Sequence, residues 1–149
     1  MRRMFQLALT AAAVAVALVA NAGHASADDF DYDAYRQSMK AFGPVIRGWM
    51  SEVEAYGVAA KAKPEVLRDA ALAELAARGH SIAGDLAGTA APGTQADAHA
   101  ALTAAIEAIA GAADAAAGTD GAAFERAISD DLSTGRSTLR SIFSYAIRR

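Results

Sequence analysis

"YRQSMKAFGPVIRGWMSEVEAYGVAA", residues 35–60, settles the fold class. Tyr35, Met39, Phe42, Ile46, Trp49, Val53, Tyr56 and Ala60 follow one another in alternating steps of four and three. That is a seven-residue a/d repeat, the mark of an amphipathic helix whose apolar seam faces other helices. Arg36, Lys40, Arg47 and Glu54 fall on the opposite side. Pro44 removes the hydrogen bond to the carbonyl of Lys40, yet the phase does not slip across it. The spacing therefore predicts one kinked helix rather than two, with Gly43 easing the steric conflict ahead of the proline.

Downstream, three more helical patterns follow. Pro64 suits the first turn of a second helix, where its missing donor costs nothing, and Glu65 suits the positive end of the helix dipole. Leu72, Leu75, Ile82 and Leu86 form its stripe, with Gly79 in register. "AGTAAPGT" at 87–94 is a turn by its Gly and Pro content. Thr94 is the expected N-cap of a third helix, Asp97 lies in its first turn, and Leu102, Ile106, Ile109 and Ala113 are its stripe. "AGTDG" at 117–121 breaks that helix. The fourth carries Phe124, Ile128, Leu132, Gly135, Leu139, Ile142, Phe143 and Ala146 inward, and Arg136, Arg140, Arg148 and Arg149 load its C-terminal half. No strand pattern competes. Four helices of roughly 23–29 residues with short loops predict an all-α fold, an antiparallel up-down-up-down four-helix bundle over residues 35–149.

No aromatic residue occurs between Tyr56 and Phe124, so the first helix supplies the large knobs and the middle helices the small faces. Trp49 is expected opposite Leu132–Gly135, with Gly135 leaving it room.

The chain opens "MRRMFQLALTAAAVAVALVANAGHASA". Arg2 and Arg3, the apolar run Phe5–Ala20 and the Ala25-Ser26-Ala27 site are the three parts of a secretory signal peptide, expected over residues 1–27. The run is short for a spanning helix, which needs about 20 residues. Ala20-Asn21-Ala22 offers a second cleavage site. Residues 28–34, "DDFDYDA", are expected as an acidic, flexible lead-in. An exported chain is expected in the periplasm or the medium, with no stable membrane insertion after cleavage. Its heavy use of Ala, Gly and Arg is that of a GC-rich bacterial genome.

The net charge of −3 becomes more negative once Arg2 and Arg3 are cleaved away. An acidic chain lacks the basic footprint that nucleic acid requires. The absence of cysteine excludes disulfides, thiolate metal sites, c-type haem attachment and thiol catalysis.

Little remains that could carry chemistry. His80 and His99 flank the middle turn at matching heights. At 100° per residue, however, His80 points roughly 140° from its stripe and His99 roughly 60° from its own. His80 is expected in solvent, His99 at a seam between helices, and the two on no common metal. Glu-x-x-His, the spacing of bundle metal sites, is absent. Glu52, Glu54, Glu74, Glu107, Asp114 and Asp130 lie off the stripes, as do the serines of the fourth helix. Asp28, Asp29, Asp31 and Asp33 are spaced loosely like oxygen ligands, without the glycine and terminal glutamate of an EF-hand. No GxSxG, HExxH, phosphate loop or Rossmann fingerprint occurs.

Pro92, then His99 followed by Leu102 and Ile106, then Thr119-Asp120-Gly121, then the alanine-rich run from Phe124 make up the second half of the chain. In this it resembles uncharacterised bacterial secreted proteins and lipoproteins of four-helix type. It departs from the lipoproteins in having no cysteine at the cleavage site. The resemblance implies a helical bundle and brings no activity or catalytic residue.

The resulting expectation is an exported, non-enzymatic binding or interaction module with no cofactor, acting on an unidentified protein or small-ligand partner. Its oligomeric state is open, because an a/d seam can also serve a dimer. The alternative is a small-ligand carrier for haem, metal or an apolar molecule. That carrier would use the aromatic face of the first helix, Met39, Phe42, Trp49 and Tyr56, with His99, and would need an internal cavity beside Trp49.

Overall fold

A computed structural model describes residues 30–68, 70–116 and 120–147. The expected signal peptide, Asp28 and Asp29, Gly118 and Thr119 of the third break, and Arg148 and Arg149 lie outside the described residues. Four α-helices carry the fold: α1 (Tyr32–Ala62), α2 (Ala70–Ala87), α3 (Ala96–Ala115) and α4 (Gly121–Ile147). No helix among the described residues is long and apolar enough to cross a membrane.

α1 runs unbroken through Pro44. It starts earlier than its apolar repeat because Asp31 caps it, accepting from the Ala34 amide at 2.8 Å, so Tyr32–Ala34 of the acidic lead-in are helical. Lys63 closes it by donating its amide to the Ala59 carbonyl at 2.8 Å. Two expected helix starts move. Pro64–Arg68 is a 3-10 turn rather than the first turn of α2, and Leu67 is buried within it. Thr94 lies inside a second 3-10 turn, Gly93–Gln95, and caps nothing; α3 begins at Ala96 without a side-chain cap. The helices are consequently unequal, with 31, 18, 20 and 27 residues. α4 is capped by Asp120, whose Oδ1 accepts from the amides of Ala122 and Ala123 at 2.7 and 3.2 Å.

α2 packs on α3, α3 on α4 and α4 on α1, while α1 and α2 meet more loosely. The α1–α4 seam is built from size alternation. Its steps are visible in what a Cβ added at each glycine would meet. At Gly43 it would strike the Phe143 ring at 1.8 Å, and at Gly57 the Ile128 Cδ1 at 2.9 Å. Between them the sizes reverse: Met50 of α1 fills the space over Gly135 of α4, with Met50 Cε 2.5 Å from the added Cβ. At Gly121 the chain passes so close to the end of α1 that a Cβ would lie 1.8 Å from the Ala60 carbonyl oxygen. Large faces small at each of these levels, so the two helices interlock along the seam. Phe42 and Tyr56, adjacent to Gly43 and Gly57, are pushed to the edge of the core and are half-buried.

Trp49 turns the other way. Its indole lies over Gly79 of α2, where a Cβ would be 2.4 Å from Cζ2, and its Nε1–H donates to the Leu75 carbonyl at 2.8 Å. The expected pairing of Trp49 with Gly135 is thus corrected: Gly135 makes room for Met50, and Gly79 makes room for Trp49. An indole wedged between α1 and α2 accounts for their looser approach. The a/d seam of α1 is covered by its own chain.

Candidate functional site

The carrier reading gathers Met39, Phe42, Trp49, Tyr56 and His99, and the structure does not bring them around a common space. Met39 and Trp49 are inside the core, with 0% and 2% exposure. Phe42 and Tyr56 sit at its edge. His99 is buried and lies near the opening of α1 instead. Its Nε2 faces the Leu86 carbonyl oxygen at 2.8 Å, and its Nδ1 faces the Tyr35 hydroxyl at 3.3 Å. A carbonyl only accepts, so Nε2 carries the proton, and in the neutral ring Nδ1 accepts from Tyr35. Burial, and then the neighbouring Tyr145, push the Tyr35 hydroxyl up to about 12, which keeps it a donor. The Leu86 carbonyl, in the last turn of α2, accepts from the Thr89 amide at 2.9 Å and, as a second donor, from His99 of α3. Both ring nitrogens are therefore spent on holding α1, α2 and α3 together. Phe30 packs edge-on to Tyr32 and Tyr35, extending this aromatic end.

His80 keeps its side chain partly in solvent, and it lines the same groove as His99, a trough of about 740 Å³ between α2 and α3 floored by alanine and glycine. The two imidazoles nevertheless serve different partners. His80 Nδ1 meets Glu107 Oε1 at 2.8 Å and Nε2 meets Asp114 Oδ2 at 2.7 Å. Two carboxylates facing two ring nitrogens favour the imidazolium, and the hydrogen bonds to Asp114 and then Glu107 raise the His80 pKa above its usual 6.5. Among the described residues no group of three or more His, Asp or Glu is arranged to hold a metal ion.

The carboxylates off the stripes are not merely solvated. Arg78 pairs with Glu52 between α2 and α1, and Arg136 pairs with Glu54 between α4 and α1, its Nη2 at 2.7 Å. Those hydrogen bonds hold the Glu52 and Glu54 carboxyls below their usual range. Lys61 reaches Glu125 at 2.9 Å.

A second groove, of about 360 Å³, runs between α1 and α4. Met50, Leu139 and Phe143 form its apolar part, and Arg47, Arg136 and Arg140 its charged part. The Arg47 guanidinium stacks over the Phe143 ring, 5.1 Å from its centroid. In sequence Arg136 and Arg140 pass for a helix-dipole feature, and Arg47 for the polar side of α1. The available signal was the i, i+4 spacing of Arg136 and Arg140, which places both on one face.

Compared with family models, curated proteins and solved structures, the chain matches none.

Proposed function

We propose that this chain is an exported bacterial helical bundle that works by binding, through its surface grooves and without catalysis. The observation carrying this reading is the filled interior. The site that a carrier would need, beside Trp49, is occupied by the Gly79 backbone and the Leu75 carbonyl. His99, the imidazole that a haem or metal would need, has both nitrogens engaged. Recognition then falls to the outside, where the α2–α3 and α1–α4 grooves provide concave surface.

The same reading includes an up-down-up-down order of helices. It is supported by the pairing of Gly57 with Ile128 and of Gly43 with Phe143, in opposite chain directions on α1 and α4. Export is supported by the basic, apolar and Ala-x-Ala parts of residues 1–27. The likeness to uncharacterised secreted four-helix proteins is part of this proposal.

Native mass spectrometry of the protein recovered from an exporting host tests it. The expected species is residues 28–149 with no molecule held in the core. A bound molecule that survives native conditions, leaves on denaturation and is lost in His99→Phe or Trp49→Phe variants would overturn the reading in favour of a carrier.

A further inference from the structure

The α1–α4 groove is charged in a way that the rest of the chain is not. The molecule is acidic, with a net charge of −3. Yet three guanidinium groups, Arg47, Arg136 and Arg140, line one depression. Its lining includes no carboxylate, and the two in the adjoining depression that shares Arg136 and Arg140 are paired, Glu54 with Arg136 and Glu125 with Lys61. Arg47 and Arg140 have no carboxylate partner among the described residues. The Phe143 ring holds the Arg47 guanidinium over this groove without occupying it with a carboxylate. Ser51 adds a hydroxyl to the same wall. The apolar part, Met50, Leu139 and Phe143, lies directly beside this charge, and the groove is larger than a bare oxyanion needs.

We infer that the α1–α4 groove binds a phosphoryl group carrying an apolar substituent, with Arg47 and Arg140 holding the oxyanion and the half-buried Phe143 ring contacting the apolar part, backed by the buried Met50 and Leu139. Guanidinium forks match phosphate oxygens in geometry as well as charge. Two forks contributed by different helices fix the anion across the seam. This inference rests on the reading of the protein as a surface binder and names the chemistry of one groove.

Two probes test it, phenyl phosphate in solution and vesicles of phosphatidylglycerol in phosphatidylcholine. Backbone amide and arginine Nε–H resonances are followed in the wild type, an Arg47→Gln/Arg140→Gln variant and an Arg126→Gln control, whose guanidinium lies outside the groove. Phenyl phosphate is expected to saturate with shifts centred on Arg47, Arg140 and Phe143, and to bind more tightly than inorganic phosphate. The double variant should weaken it by about tenfold or more, and the control should not. Vesicle binding that the double variant abolishes would make a lipid headgroup the source. Phenyl phosphate binding without vesicle binding would make it a soluble phosphoester. Equal binding by the double variant, or no saturable binding of either probe, would overturn the inference. An unchanged circular dichroism spectrum separates loss of binding from loss of fold. Failure here leaves the native-mass result untouched, whereas a molecule held at Trp49 or His99 would sink the surface reading without altering any dependence on Arg47.

Discussion

Gly79 and Gly84 stand on the same helix and have opposite surroundings. A Cβ at Gly79 would fall 2.4 Å from the Trp49 ring and 2.8 Å from Ala110 Cβ, while one at Gly84 meets nothing within 4 Å. Alanine gains about 1 kcal/mol over glycine in a helix interior, and overpacking a rigid core costs about 1–3 kcal/mol. Gly79→Ala is therefore expected to lose up to about 2 kcal/mol net, because neither an indole hydrogen-bonded to Leu75 nor an alanine can swing aside. Gly84→Ala is expected to gain about 0.5–1 kcal/mol. Urea unfolding of both variants checks the pair, and a gain in both would contradict the packing described for Trp49. The register of Gly79 with its apolar stripe was legible in the sequence. Its partner was not, because periodicity gives a side chain's phase on its own helix and says nothing about which neighbour that phase meets. Hence Trp49 was expected over Gly135, where Met50 lies.

Between elements, the same limit explains the charges. Glu52 with Arg78, Glu54 with Arg136, and His80 with Glu107 and Asp114 join residues far apart in sequence. On the stripes alone these groups read as solvated surface. His80 does point away from the stripe of α2, but that angle is measured from the core and not from α3, whose carboxylates reach around to meet it. Because the folded-state pKa of His80 lies above its unfolded value of 6.5, the α2–α3 clasp contributes its full stabilisation below 6.5 and loses it as pH rises through the folded value. The difference in melting temperature between wild type and His80→Gln should accordingly shrink from about pH 6 to about pH 8.5. A difference that is constant or grows across that range would contradict the clasp. Glu52 and Glu54, with lowered values, act in the opposite sense. Their pairs stabilise above 4.5 and fail as pH falls through the folded values. All these groups are well exposed, so each effect is small and screened by salt.

At the scale of the molecule, the heptad repeat of residues 35–60 was enough to announce a helical protein with a packed seam, and Pro44 did not interrupt it. Helix ends were less legible, because Pro64 starts one 3-10 turn and Thr94 lies inside another, and both turns share the local chemistry of an α-helical first turn. The basic groove was hidden for a further reason: it exists only where α1 and α4 come together. On the proposed reading the interior is filled and binding belongs to the outside. Trp49, the chain's single tryptophan, reports on that interior without labelling. Its fluorescence should be measured with an aqueous quencher, then with haemin or an apolar probe added to equimolar concentration. Blue-shifted emission, weak quenching and no stoichiometric response to either addition are expected from that reading. Stoichiometric quenching or a spectral shift, abolished by His99→Phe, would place a ligand beside Trp49 and contradict it.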